Sequence, residues 1–202
     1  MKNYFILVIL FLSSINSFSQ EGIKMKINSG YSTDLQTLLL FEEISIDEIV
    51  FSGKELVGKN YQINIKEFKK NILIKTTTLF DSSEDEYFRI KEEKIKFKIA
   101  GKITDKKEFK IQIFADRFAS RKESFTLLDN NLRYVVKNFL GSKSEIDVPV
   151  NKAFYILSLI TPTKHKDGSS SYCEVAQSNF DPEKFGDKYD IPHYYLIEMK
   201  FN

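Results

Sequence analysis

The chain has 202 residues, of which 30 are basic and 28 acidic, so its formal net charge is only +2. Nucleic-acid binding needs concentrated positive charge, and this near balance predicts that nucleic acid is not a partner. The single cysteine excludes a disulfide within the chain, so the core and the hydrogen bonds must hold the fold together.

The amino terminus has the order of features that is typical of a secretory signal peptide. Lys2 supplies a positive charge, residues 4–12 (YFILVILFL) are apolar, and small residues follow up to Ser19. We therefore expect a signal peptide over residues 1–19 and one exported domain over residues 20–202. The apolar run is far shorter than the roughly 20 residues that span a bilayer. We expect no transmembrane anchor in the mature chain, which would be periplasmic or extracellular.

Two short helices are predicted. Thr33 and Gln36 have the spacing of a capping box ahead of a leucine-rich run, which favours a helix of about three turns. Residues 181–186 (DPEKFG) predict a single helical turn, with Asp181 as its N-cap, proline at its first position and Gly186 closing it.

Most of the chain has the period of two that is typical of β-strands. Alternating apolar and polar residues, or runs rich in β-branched residues, predict strands over residues 61–65, 72–80, 95–99, 109–113 and 193–201. Residues 153–160 are apolar on both faces, which predicts an interior strand that Pro162 ends. Residues 131–140 fit a helical spacing, but their β-branched pair also fits a strand.

These elements predict an all-β fold, mainly an antiparallel β-sandwich, with one short N-terminal helix. The least regular stretch is residues 162–192, where glycine, proline, serine and tyrosine are concentrated. Within it, residues 164–171 (KHKDGSSS) predict a polar turn, and residues 172–175 (YCEV) the start of a strand. Loops on a rigid scaffold often carry function, so we examined this stretch for chemistry.

A cysteine nucleophile is one reading of this stretch. Cys173 would need a histidine as base, and His165 and His193 are the two histidines of the chain. No peptidase signature surrounds Cys173, and a lone cysteine is more often a buried small apolar residue.

A metal site is weakly indicated. His165, Cys173 and His193, with Asp167 or Glu174, would supply zinc ligands, but their spacing matches no compact zinc pattern. The acidic residues between 181 and 190 lack the order of a calcium loop. We predict no metal and no cofactor.

Aromatic residues in the same stretch suggest a sugar-binding surface. Rings that stack on a sugar, next to polar side chains that bind its hydroxyl groups, are typical of concave ligand sites. The pattern is also typical of side chains that pack under a long loop. The predicted ligand-binding residues are Tyr172, Phe185, Tyr189, Asp187 and His193, with Phe180 and Tyr194 nearby.

A second predicted binding surface is a lysine-rich sheet face. It would attract acidic glycans or an anionic membrane, although interleaved acidic residues also fit an ordinary solvated face. Its lysines are Lys96, Lys98, Lys102, Lys106, Lys107 and Lys110.

Three segments carry a resemblance to a known family. Residues 61–68 (YQINIKEF), 169–175 (SSSYCEV) and 192–202 (PHYYLIEMKFN) resemble a family of small exported bacterial proteins classed as a domain of unknown function. The resemblance implies a secreted β-rich module and brings no catalytic residues with it. Our leading hypothesis is a non-enzymatic exported module that binds a cell-surface glycan or a protein partner. The alternative is a hydrolase that uses Cys173 with His165 or His193.

Overall fold

The computed structural model describes residues 22–128, 133–165, 167–172 and 180–202. The predicted signal peptide, Cys173 and Glu174 lie outside these residues. Within the described part of the chain, no helix is long and apolar enough to cross a membrane.

The fold is an antiparallel β-sandwich, as the sequence predicts. The described residues include two short α-helices, α1 (Thr33–Phe41) and α2 (Phe185–Tyr189). Single 3₁₀ turns cover Lys54–Leu56, Ser82–Glu84, Glu86–Phe88 and Pro182–Lys184. The strands are β1 (Ile23–Asn28), β2 (Ile44–Ser52), β3 (Tyr61–Lys69), β4 (Ile72–Asp81), β5 (Lys94–Ile103), β6 (Glu108–Ala115), β7 (Glu123–Thr126), β8 (Val135–Asn138), β9 (Ile146–Val148), β10 (Phe154–Ile160), β11 (Thr163–Lys164), β12 (Ser170–Ser171) and β13 (His193–Phe201).

Two sheets form the layers of the sandwich. One has six strands in the order β7-β6-β5-β2-β1-β9, and the other has five in the order β4-β3-β13-β10-β8. Apolar residues from the inner faces of both sheets form one buried cluster, the inner cluster, as the alternating patterns require. A third, two-stranded sheet pairs β11 with β12, and this hairpin is the polar turn predicted over residues 164–171.

The final strand, β13, is the centre of the five-stranded sheet. It pairs with β3 along its whole length and with β10 on its other edge. Tyr195, Ile197, Met199 and Phe201 enter the inner cluster, as predicted. Tyr194 and Leu196 face outward instead. There they join a second buried cluster with Phe185 from α2, which we call the outer cluster.

The other strand predictions around β13 hold, and one ambiguity is resolved. β10 lies inside the sheet and ends at Ile160, two residues before Pro162, as expected. Residues 135–138 form strand β8, so the β-branched pair outweighs the helical spacing of this segment.

The helices differ from the predictions at their ends. Ser32, not Thr33, occupies the cap position of α1, and no side chain caps that helix. The capping box predicted from Thr33 and Gln36 is therefore wrong. Asp181 does cap the second helical segment, because its carboxylate accepts a hydrogen bond from the Glu183 N–H. That segment continues to Tyr189, so Gly186 lies inside α2 and does not close the turn.

Candidate ligand-binding cleft

A cleft of about 370 Å³ opens at the end of the sandwich where β5 begins and β6 ends. Its walls are the connection from β4 to β5 and the turn from β6 to β7, and Tyr61 of β3 lies at its base. We call it the aromatic–basic cleft. Its lining residues are Tyr61, Tyr87, Phe88, Arg89, Ile90, Lys91, Glu92, Lys94, Ile95, Lys96, Ala115, Asp116, Arg117 and Phe118.

Local hydrogen bonds fix the wall formed by the β4–β5 connection. The carboxylates of Asp81 and Asp85 cap the two successive 3₁₀ turns, Asp85 by accepting from the Tyr87 N–H at 2.8 Å. Farther along, the buried Ile90 is tied by its backbone to the neighbouring loop, with its carbonyl accepting from the Gly58 N–H at 2.8 Å. The wall is therefore held at both ends.

Aromatic rings join the two walls. Phe118 from the β6–β7 turn stacks on Phe80 of β4, with ring centroids 4.3 Å apart. Phe88 meets both rings edge-on at 5.2 and 5.1 Å, and Tyr87 lies against Phe88 at 5.4 Å. These distances are those of favourable aromatic pairs. Tyr87 ends the row and is half exposed, so part of its ring surface is open to a ligand.

Positive charge surrounds these rings. The lining carries five cationic side chains and two carboxylates, an excess of three positive charges. Two contacts hold the Arg89 guanidinium: Nε lies 2.6 Å from the Glu86 carboxylate, and Nη1 donates to the Gly58 carbonyl at 3.1 Å. The Arg117 guanidinium lies 6.0 Å from the centre of the Tyr87 ring, within cation–π range. The arrangement suits a ligand with a flat apolar face and a negative group.

The structure separates the five predicted ligand-binding residues. Phe185 and Tyr189 are buried in the outer cluster, where their rings meet edge-on at 5.6 Å. Tyr172 is half buried, and its hydroxyl donates to the Arg133 carbonyl at 2.7 Å. Asp187 is exposed, and its backbone N–H donates to the Asn71 side chain. Only Tyr172 and Asp187 therefore lie at the surface.

The fifth predicted residue, His193, is 1% exposed and joins two neighbouring segments. Nε2 lies 3.1 Å from the Glu67 carboxylate, which can only accept, so Nε2 carries the proton. The other nitrogen, Nδ1, then accepts from the Tyr134 hydroxyl at 2.8 Å. Burial lowers the pKa of His193 below its ordinary value, and this outweighs the opposite effect of Glu67. The ring is a neutral structural bridge.

A second polar cluster fastens residues 181–189 to the sheet. The Lys66 ammonium bridges the carboxylates of Glu198, at 2.5 Å, and Glu183, at 3.4 Å. The Tyr155 hydroxyl donates to Glu183 as well. Burial alone lowers the pKa of Lys66, but hydrogen bonds and charge from the two glutamates raise it above its ordinary value. Burial and Glu183 raise the pKa of Tyr155.

The predicted lysine-rich face has compensating acidic partners. Lys102 pairs with Glu42 at 2.8 Å, Lys110 with Glu108 at 3.9 Å, and Lys96 with Asp116 at 3.7 Å. Lys106 and Lys107 lie in the β5–β6 turn, away from the strands. Of the six lysines, Lys96 is the one that also lines the cleft.

The structure tests the hypothesis of a cysteine nucleophile only in part, because Cys173 lies outside the described residues. Both ring nitrogens of His193 already have partners, and Nε2 of His165 lies 3.0 Å from the Ser171 hydroxyl. Among the described residues, no group of three or more His, Cys, Asp or Glu side chains is placed to hold a metal. The hydrolase alternative stays a prediction.

Sequence reasoning missed most of the cleft. A signal was present: the aromatic and arginine residues adjoin in two turns, in residues 87–89 (YFR) and 117–118 (RF). What the sequence does not show is that these two turns meet at the same end of the sandwich.

Comparison of the chain with protein-family models, with curated proteins and with solved structures gives no match in any of the three. The resemblance to an exported bacterial family therefore stays a prediction.

Proposed function

We propose that this protein is an exported, non-catalytic module that binds an acidic glycan in the aromatic–basic cleft. The observation that carries the proposal is the half-exposed ring of Tyr87 beside an excess of three positive charges. A sugar ring presents a flat C–H face that packs on an aromatic ring, and a uronate carboxylate pairs with arginine or lysine.

The rigidity of the cleft supports ligand binding. Capping hydrogen bonds and ring contacts hold both walls in place, so little conformational entropy is lost when a ligand binds. The Asp116 carboxylate lies 3.7 Å from the Lys96 ammonium. The cleft still has more cationic side chains than carboxylates. A protein partner with an acidic patch would also meet the charges, but it would not need the ring of Tyr87.

Calorimetric titration with an oligogalacturonate tests the proposal. Replacing Tyr87 with alanine removes the stacking surface and should weaken binding by about fivefold or more. Arg117→Ala removes a charge-assisted contact and should weaken binding by about tenfold or more. Both side chains are exposed, so the variants should keep their fold.

Three controls test whether binding depends on the cleft and on an acidic sugar. Lys98→Ala removes an exposed charge outside the cleft and should leave the affinity nearly unchanged. A neutral maltooligosaccharide should not bind, whereas equal binding of polyglutamate would show that charge alone is recognised. If Tyr172→Ala abolished binding and Tyr87→Ala did not, the glycan would bind in the irregular stretch instead, and the cleft assignment would be wrong.

Export is a separate part of the proposal, supported by the charged, apolar and small-residue order of residues 1–19. Expression in a bacterium with a secretion pathway should give a mature chain that begins near Gln20. Amino-terminal sequencing of the exported fraction measures this directly. An intact Met1 in the membrane fraction would contradict it.

A further inference from the structure

The helix α1 is apolar but uncovered. None of its nine residues is buried, and Leu40 and Phe41 are 62% and 82% exposed. Leu35 and Leu38 are exposed as well, at 40% and 55%. A helix this short is marginal in water by itself, because most helical stability in proteins comes from packing an apolar face. The exposed side chains of α1 therefore indicate a contact surface.

A groove of about 240 Å³ lies next to this helix. We call it the α1 groove. Its walls are mostly apolar and come from α1, the adjoining ends of β2, β5 and β6 behind it, and strand β8. Its lining residues are Leu39, Leu40, Glu43, Ile44, Ser45, Gly101, Ile103, Phe109, Arg133, Tyr134, Val135, Val136 and Lys137. A projecting apolar helix and an apolar groove are thus neighbours on one face of the molecule.

The two sides of this face carry opposite charge. Residues 31–43, which include α1, contain Asp34, Glu42 and Glu43 and no lysine or arginine. The facing wall, which leads into β8, contributes Arg133 and Lys137 to the groove. Arg133 already approaches Glu43 of the same chain at 3.9 Å, an exposed and long ion pair. The basic wall therefore matches the acidic helix segment in charge.

We propose that the occupant of the α1 groove is α1 of a second copy of this chain. A two-fold axis beside the helix places Phe41 of each copy in the groove of the other, so one surface patch serves both sides. The acidic residues in and just after each helix then face the basic wall of its partner, which favours this pairing over a helix of basic character. The contact closes on itself and yields a dimer.

The dimer would present two aromatic–basic clefts. That cleft lies where β5 begins, and the α1 groove lies where β5 ends, so dimerisation leaves both clefts open. Two sites on one particle bind a repeating polymer with higher avidity than a single site. This consequence rests on the proposed function, but the dimer itself does not.

Sedimentation velocity of the exported protein tests the dimer. The wild type should sediment at twice the protomer mass in the micromolar range, and Phe41→Ser should raise the dimer dissociation constant by about tenfold or more. Arg133→Glu should weaken the dimer as well, because it places like charges together. Ile72→Ser is the matched control, since Ile72 is 68% exposed on β4, away from α1, and this variant should remain dimeric.

Each other outcome overturns the inference. A wild type that stays monomeric at concentrations near 100 µM would exclude a dimer of useful affinity. A dimer that survives Phe41→Ser, with unchanged circular dichroism, would place the interface elsewhere. If the monomer bound phosphatidylcholine vesicles and Phe41→Ser abolished that binding, α1 would be a membrane contact and not a dimer contact.

Discussion

At the scale of single residues, His193 shows how a polar side chain is used inside this fold. It begins the central strand β13 and links Glu67 of β3 to Tyr134 ahead of β8. Both hydrogen bonds need a neutral ring with its proton on Nε2, because Nδ1 must accept from Tyr134. Burial and the positive charge of Lys69 make the site unfavourable for a second proton.

We predict that protonation of His193 destabilises the protein. Burial lowers the pKa of His193 in the folded state, so the unfolded chain binds this proton more readily. The stabilisation is fully present above the unfolded pKa of about 6.5 and is lost as the pH falls below it. The free energy of unfolding should therefore decrease from pH 7 toward pH 5, by at most about 1.4 kcal/mol per pH unit from this group. Urea denaturation at each pH measures it.

Comparison of variants isolates this group. His193→Gln should flatten the pH dependence, whereas His165→Gln, which replaces the other histidine, should preserve it. The comparison is needed because burial raises the pKa of Asp47, which changes stability with pH in the opposite sense. Equal slopes in the wild type and His193→Gln would show that His193 does not control the acid sensitivity.

At the scale of elements, the placement of α2 depends on a glycine. Gly186 lies inside the helix, where a methyl group would overlap the backbone of Lys70 in the β3–β4 turn. This close approach lets Phe185 enter the outer cluster beneath the helix. The sequence suggests a helix end at Gly186 because glycine often follows the last turn of a helix. Here the glycine permits this close packing and does not end the helix. The helix ends instead at Asp190, which has a left-handed φ of 52°.

We predict that Gly186→Ala destabilises the fold by at least about 2 kcal/mol, because the clash is with backbone and cannot be relieved by a rotamer change. This cost exceeds the gain of about 1 kcal/mol that alanine brings to a helix interior. Thermal or urea unfolding measures the difference. Gly30→Ala is the matched control, since nothing lies within 4 Å of its added methyl group. Equal stability of the two variants would contradict the packing account.

The strands could be predicted because each is specified by its own residues. The alternation over β3, β5 and β6 reflects one buried face, whereas β13 alternates between two clusters and is buried on both faces. Helix ends are harder to predict, because neighbouring residues compete for the cap position. At α1 this position is occupied by Ser32 and not by Thr33. The cap at Asp181 was predictable because proline follows it and leaves few other arrangements.

The candidate site could not be predicted in the same way. Tyr87 and Arg117 are 30 positions apart in the sequence, and only the antiparallel return of β5 and β6 brings their turns together. The irregular stretch of residues 162–192 has the composition of a ligand site, since aromatic residues in loops often bind ligands. There, however, the outer face of the five-stranded sheet needed cover, and Phe185 and Tyr189 supply it. Burial of apolar surface therefore places these two rings in the core, where a ligand does not reach them.

At the scale of the whole molecule, the sandwich separates two surfaces of different character. The aromatic–basic cleft lies at one end of β5, and the uncovered helix α1 lies with its groove at the other. One buried apolar cluster lies between these two ends. The small net charge of +2 does not reveal that positive charge is concentrated around the cleft.

We propose that the ligand binds in the aromatic–basic cleft. The most direct test is nuclear magnetic resonance of the ¹⁵N-labelled protein during titration with an oligogalacturonate. Binding in the cleft predicts saturable amide shifts that cluster in residues 87–92, 94–96 and 115–118, and that need at least about tenfold more ligand to saturate in Arg117→Ala. Shifts that cluster around Tyr172 and Asp187, or the absence of saturable shifts in the cleft, would contradict it.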